Sequence, residues 1–266
     1  MSHIHIPDGV LPLWLVALGW AVAAVMVGLS VRQSSQADLG RRVPLLGAVS
    51  ALMLVAMSSE VIPIAYHVNL TVVAGILLGP ALSVVAAAVV VTLLALLGHG
   101  GVTVIGLNVA VIATEMVVGG LLFRALSRLL GRPRTSWAAG IATVLTLALT
   151  TTMLVGIVWL GGAGAATREH GALDPSTLRF RNPLAGGVFT NAIVAPEAPP
   201  SAAEAPLSIG RFALMVYALG SIGWVLEALI TGAIVGYAAK IRPSLVFEGA
   251  SHARTSPPPG DEGVSA

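Results

Sequence analysis

Two histidines stand beside the start of the chain, in Met1-Ser2-His3-Ile4-His5. Neutral imidazole is a common ligand for nickel, copper, zinc and iron. A terminal amine and ionisable backbone amides add nitrogens in a compact set. An all-nitrogen set of this kind favours a tetragonal or square-planar divalent ion such as Ni(II) or Cu(II). Two more histidines border apolar runs, His67 in Tyr66-His67-Val68-Asn69-Leu70 and His99 in the turn Gly98-His99-Gly100-Gly101. His170 and His252 fall in expected loops and receive no role. Asn108, in Gly106-Leu107-Asn108, can hydrogen-bond an imidazole whose other nitrogen holds a metal, a support such sites commonly need. Asn69 and His99 are candidates for the same support. Three carboxylates, Glu60, Glu115 and Glu227, lie in or beside apolar runs. Charges at bilayer depth are costly and usually face a bundle interior. They read either as a proton relay or as hydrogen-bonded structural groups. Glu115 and Glu227 fall near the middle of their runs, and are expected to serve stability and packing more than metal affinity.

These residues need a membrane frame to position them. Of 266 residues, 56% are hydrophobic and 10% charged, with a mean hydropathy of +0.91. That is the composition of a polytopic helical membrane protein, all-α in class. Lys240 is the single lysine, so no Gly-rich loop ending in Gly-Lys-Ser/Thr exists and ATP is not hydrolysed through a P-loop here. With no cysteine, disulfides, thiolate metal sites and cysteine catalysis are excluded. No His-Glu-x-x-His pair suggests an intramembrane metalloenzyme. The +2 net charge carries no nucleic-acid signal. The first apolar run has no Lys or Arg before it and no clear cleavage pattern, so it reads as a retained helix and not as a signal peptide.

Apolar runs at Leu13–Val31, Val43–Ser59, Leu70–Leu97, Val102–Phe123, Trp137–Leu160 and Phe212–Ala239 mark the spans. About 20 residues cross a bilayer core. Leu70–Leu97 is too long for one untilted span and contains Gly79-Pro80, a strong break. Three basic clusters set the sidedness: Arg32, Arg41 and Arg42; Arg124, Arg128, Arg132 and Arg134; Lys240 and Arg242. The positive-inside rule puts all three in the cytoplasm. The N-terminus, His67 and His99 are then outside. The long run must be a hairpin of a short segment, Leu70–Gly79, and a fuller helix, Ala81–Leu97. About seven helical segments result, one of them short and broken by Gly-Pro, a pattern that often marks transporter binding sites. The expected organisation is an outer leader over residues 1–12, a helical domain over 13–243 with an outer loop at about 161–210, and a disordered cytoplasmic tail over 244–266. Small-residue pairs at Gly47/Ala51, Ala17/Ala21 and Gly232/Gly236 permit close helix approach, within the bundle or against a partner.

His5-Ile6-Pro7-Asp8-Gly9-Val10-Leu11 resembles the N-terminal signature of the CbiM/NikM substrate-binding components of energy-coupling-factor cobalt and nickel transporters. Ala74-Gly75-Ile76-Leu77-Leu78-Gly79-Pro80 resembles the family's second block. Gly100-Gly101 followed by Gly106-Leu107-Asn108 resembles its third. The resemblance implies a seven-helix subunit of the cell membrane that captures Co(II) or Ni(II) outside. It implies ligation by the terminal amine, the amide and imidazole of the second residue, and a histidine matched here by His67. The implied partners are a transmembrane coupling subunit, cytoplasmic ATPase subunits and often a small accessory membrane protein.

One departure affects the ligand set. Family members commonly begin Met-His-Ile-Pro-Asp-Gly, whereas here the aligned histidine is His5 and four residues precede it. His5 cannot share a chelate ring with the terminal amine in the family's way, but His3 can. With Met1 kept, the amine of Met1, the amides of Ser2 and His3 and the His3 imidazole supply four nitrogens. With Met1 removed, as a small Ser2 favours, Ser2 is the terminus and His3 the second residue. His3 with the terminus is the favoured set, with His5 an extra or alternative ligand. A second reading of the chain is a proton-coupled secondary metal transporter or channel that uses Glu60, Glu115 and Glu227. Nitrogen ligands alone do not separate cobalt from nickel.

Overall fold

A computed structural model describes residues 11–34, 36–61, 66–98, 100–161 and 209–247. Its helices are α1 (Leu13–Gln33), α2 (Gln36–Ser58), α3 (Thr71–Leu96), α4 (Ile105–Leu130), α5 (Thr135–Leu160), α6 (Ile209–Ile241) and a short α7 (Pro243–Phe247), with a 3₁₀ turn at Arg132–Arg134. Five helices are long and apolar enough to cross a membrane, and Arg42–Ser58 within α2 is a shorter apolar helix. The chain is a multi-pass membrane protein. Residues 1–10, His99 and 162–208 lie outside the described residues, and with them His3, His5 and most of the expected outer loop.

The break expected at Gly79-Pro80 is present. Gly79 sits at φ 75° and ψ 175° inside α3, a region reserved for glycine, and separates residues 71–78 from 80–96. Pro80 removes a backbone donor at the same point. Ser83 Oγ donates to the Gly79 carbonyl at 2.6 Å, at the head of the second segment. Counting α3 as two helices gives the expected short segment and its longer companion.

Glycines set the helix crossings. A Cβ on Gly120 of α4 would lie 2.7 Å from the Gly75 carbonyl oxygen, and one on Gly106 would lie 2.5 Å from the Trp20 amide nitrogen of α1. One on Gly232 would lie 2.9 Å from the Ser136 carbonyl oxygen. Gly232 and Gly236 therefore seat α6 on α5 inside the bundle. Helices in lipid gain nothing from hiding apolar surface from each other, so such close backbone packing is what holds them together. Gly47 meets nothing within 4 Å; it, Ala51, Ala17 and Ala21 are all exposed.

The two ends of the bundle differ in chemistry. At one end the root of α1 meets the end of α5, where a Cβ on Gly161 would lie 2.6 Å from Leu11 Cδ2. Exposed Trp14 and Trp159 stand there, as interfacial tryptophans do. At the other end the Arg132 guanidinium stacks 5.2 Å from the Phe247 ring, beside the remaining basic residues of the turn. The cytoplasmic tail expected from Ser244 thus begins as helix: α7 buries Val246, an apolar residue with a packed surface available to it.

Two features depart from the all-helical expectation in detail. Glu60–Val61 pairs antiparallel with Tyr66–His67, with Glu60 opposite His67 and Val61 opposite Tyr66. Val61 and Tyr66, a β-branched and an aromatic residue, suit such extended pairing. In addition, α6 runs from Ile209 to Ile241 and so exceeds the expected Phe212–Ala239 at both ends.

Candidate functional site

After the short β-pairing the chain does not return to the surface. His67 is half-buried and Asn69 is almost fully buried. Leu70 adopts a left-handed conformation, φ 54° and ψ 10°, and turns the backbone directly into α3. For a non-glycine residue this conformation costs about 1–2 kcal/mol. The carbonyl of Leu70 accepts the first helical bond, from the Ala74 N–H at 2.9 Å. No side chain of Leu70 caps the helix.

The segment is held by two carboxylates from distant helices. Glu115 of α4 and Glu227 of α6 are 0% and 2% exposed. The Asn69 backbone N–H donates to Glu227 Oε1. The Asn69 side-chain amide and the Thr71 hydroxyl both donate to Glu115 Oε1. The Thr150 hydroxyl of α5 donates to Glu115 Oε2 at 2.9 Å, with the Thr146 carbonyl at 3.1 Å as its alternative acceptor. Irregular backbone at membrane depth is tolerated only where protein satisfies its polar groups. Here Glu227 of α6 accepts the Asn69 backbone N–H, and α4 and α5 brace the segment through side chains.

This arrangement corrects one expectation. Glu115 and Glu227 are near mid-span, as read from the sequence, but they are not remote from the His67 segment. Glu115 is ten residues into α4 and Thr150 ten residues before the end of α5. At 1.5 Å per residue, the Asn69 contacts lie about 15 Å below the ends of those helices. The loop descends to the carboxylates, which the sequence could not show. The signal that pointed that way was the pair of glutamates inside otherwise charge-free runs.

The leader is rooted at the end of the bundle where α5 finishes. Leu11 packs against an apolar cluster built from Leu15, Val104, Leu107, Val111, Leu154 and Ile157. Val111 is one turn before Glu115 in α4, and Leu154 is one turn after Thr150 in α5. The lower edge of the apolar cluster is therefore about 6 Å above the carboxylate cage, with Ile157 and Val104 higher. Trp20 Nε1 donates to the Thr103 carbonyl at 2.8 Å and ties α1 to the entry of α4. Asn108 is buried in the first turns of α4, on the Glu115 side of that helix. Glu60 is joined to His67 by backbone register. Among the described residues, no group of three or more His, Asp or Glu is placed to hold a metal. A cavity of about 530 Å³ opens between α5 and α6, lined by Trp137, Gly140, Val144, Val225, Ala228 and Gly232 among others. It shares no residue with the cage.

The family profile described as "Cobalt uptake substrate-specific transmembrane region", CbiM, matches residues 5–245. The chain belongs to the CbiM family. The match starts at His5, the histidine of the His-Ile-Pro-Asp-Gly signature, and leaves Met1–Ile4 ahead of it. A putative metal transport protein of Haloquadratum walsbyi is 40% identical over 159 residues, 58% of this chain and 72% of that one. A putative cobalt transport protein CbiM of Halobacterium salinarum is 34% identical over 187 residues, 66% of this chain and 81% of its own. A cobalt transport protein CbiM of Geobacter sulfurreducens is 35% identical over 161 residues, 55% of this chain and 46% of that longer one. Two solved structures share the fold. One described as a truncated transition metal transporter has a TM-score of 0.62 at 18% identity, covering 89% of this chain and 99% of its own. Another transition metal transporter has a TM-score of 0.64 at 19% identity, covering 95% and 100%. These curated relatives are named as transport proteins.

Proposed function

We propose that the chain is the substrate-capture subunit of an energy-coupling-factor importer for Co(II) or Ni(II). It takes the ion from outside with nitrogen ligands and passes it inward with ATPase partners. The ligands are the terminal amine and amides of Met1–His3, the imidazole of His3 with His5 as extra or alternative, and His67. Asn108, Asn69 and His99 support the imidazoles. The observation that carries this reading is the stacking of the leader's root over the His67 segment. Ten residues precede Leu11, and at about 3.3 Å per residue they reach up to about 33 Å. The terminus can therefore return to His67 from a root about 16 Å above the cage, at the level of Gly161.

The chain lacks a P-loop, so the energy must come from other subunits, a transmembrane coupling protein and cytoplasmic ATPases. Gly47 and Ala51 leave an open, closely approachable stripe on α2 that suits a partner helix. The test is direct. His67→Ala in the purified full-length protein should abolish tight Ni(II) and Co(II) binding by calorimetry while the helical fold persists. Unchanged affinity removes His67 from the site.

A second reading, a proton-coupled carrier, is favoured by one observation. Glu60, Glu115 and Glu227 all converge on the His67–Asn69 segment, by register or by hydrogen bond. It predicts uptake by this chain alone in liposomes under a proton gradient, without ATP.

A further inference from the structure

We propose that Glu115 and Glu227 are positioning residues for metal capture, acting on His67 through Asn69. The proposal rests on the reading of His67 as a ligand and adds how its backbone is fixed. Asn69 is two residues from His67 and is gripped at both its polar faces. Its backbone N–H meets Glu227 from α6, and its side-chain amide meets Glu115 from α4. Thr71, on the far side of Leu70, is bound to the same Glu115 oxygen. The left-handed Leu70 lies between these two anchors. Residues held in such conformations persist only where their surroundings over-determine them. Here the surroundings are three donors on Glu115 and one on Glu227.

The physical consequence concerns precision. A square-planar site is selective because its ligands cannot relax, so an imidazole carried on a loose loop binds weakly. His67 sits between a β-pairing with Glu60–Val61 on one side and the clamped Asn69 on the other. Releasing Asn69 frees one side of that mount. Partners that orient a metal ligand typically contribute about 10–100-fold in affinity when removed. The role belongs to hydrogen-bond acceptance, since each contact ends on a carboxylate oxygen. Glutamine at position 115 keeps one oxygen for Asn69 and Thr71. Its amide can donate to the Thr150 hydroxyl, which then turns its own proton to the Thr146 carbonyl at 3.1 Å. Glutamine at position 227 likewise keeps an oxygen for the Asn69 N–H.

The experiment titrates Ni(II), as the aqueous ion, into full-length protein in detergent or nanodiscs. It uses His67→Ala, Glu115→Ala, Glu227→Ala, Asn69→Ala, Glu115→Gln and Glu227→Gln, and records the visible ligand-field band of the bound ion. The expected result has four parts. His67→Ala abolishes binding. The alanine variants at 115, 227 and 69 weaken it by about 10–100-fold. The ligand-field band shifts in those variants. Each glutamine variant recovers most of the affinity that its alanine counterpart loses. If Glu115→Ala or Glu227→Ala fails to fold, Asn69→Ala carries the test, because it removes a side-chain contact and leaves the backbone anchor to Glu227. Wild-type affinity and an unshifted band in the alanine variants, with His67→Ala inactive, overturn the proposal and leave His67 a ligand. Glutamine variants as weak as alanine also overturn it, because the carboxylates then act by charge. Full affinity in His67→Ala overturns the reading beneath it.

Discussion

Gly120→Ala is the sharpest test of how the His67 segment is seated. A Cβ at Gly120 meets the Gly75 carbonyl oxygen at 2.7 Å, the Gly75 carbonyl carbon at 3.0 Å and the Ile76 nitrogen at 3.5 Å. All three atoms are backbone, so no side chain can rotate away. Ordinary contact begins at 3.4 Å, so residues 71–78 must withdraw from α4 by about 0.7 Å. Overpacking of this kind costs about 1–3 kcal/mol. The better helix propensity of alanine returns about 1 kcal/mol. The net expectation is a loss of about 0–2 kcal/mol. Gly47→Ala is the matched control, because nothing lies within 4 Å of its added Cβ. It should be neutral or stabilising by up to about 1 kcal/mol. Gly75 is one turn beyond Thr71, so the same withdrawal lengthens the Thr71 and Asn69 bonds to Glu115. The assay is reversible denaturant unfolding of metal-free protein in micelles, paired with Ni(II) calorimetry. Gly120→Ala should lower the midpoint relative to Gly47→Ala and weaken binding by about tenfold. Equal midpoints for the two variants would refute the close approach of α3 and α4.

Other outcomes follow from the ligand set and the energy source. A tag fused before Met1, or an acetylated terminus, should cut metal affinity severely by removing the amine, with His3, His5 and His67 intact; full affinity in the tagged protein leaves an imidazole-only site. Metal binding should release protons and weaken as pH falls, because amine, amide and imidazole must all be deprotonated to bind; calorimetry in buffers of different ionisation heat measures the protons. His3→Ala should be more harmful than His5→Ala, whereas deleting Ser2–Ile4, which makes His5 the second residue, should preserve binding. Liposomes holding this chain alone should show little concentrative uptake, and accumulation driven by a proton gradient would favour the carboxylate reading.

The frame of this protein was legible from its composition and arginines, because membrane spans are set by length and apolarity and these are sequence-local. Gly79-Pro80 was legible for the same reason: a glycine-only conformation next to a missing donor is a local event. The cage was not. Asn69 and Glu227 are 158 positions apart, and Asn69 and Glu115 are 46 apart. Nothing at either end of those contacts encodes the other. The sequence showed Glu60, Glu115 and Glu227 in or beside apolar runs, and left open whether they form a proton relay or hydrogen-bonded structural groups. In the structure the hydrogen-bond partners of Glu115 and Glu227 include Asn69, Thr71 and Thr150. The β-pairing at His67 escaped because two residues per strand carry no readable alternation. The small-residue spacings were ambiguous by nature. Gly232/Gly236 packs inside the bundle and Gly47/Ala51 does not, although their spacing is identical.

The depth of the cage ties the chain's two chemistries together. An extended segment inside a bilayer-spanning bundle brings backbone donors where water cannot reach them, and each one left unpaired costs about 1–3 kcal/mol. Apolar helices offer no acceptors on their side chains, and their own carbonyls are spent within the helix. A carboxylate is the acceptor with the largest capacity, two oxygens and about four lone-pair sites. Glu115 uses three of these on Asn69, Thr71 and Thr150. Glu227 takes the backbone donor, the Asn69 N–H, while Glu115 takes side-chain donors that brace the same segment. The loop has to descend for the capture site to sit inside the bundle and not on its rim. Leu11 and its apolar neighbours then close the space between cage and outer surface. Leu11 packs on that cluster, and Glu115 and Glu227 hold the Asn69–Thr71 segment beneath it.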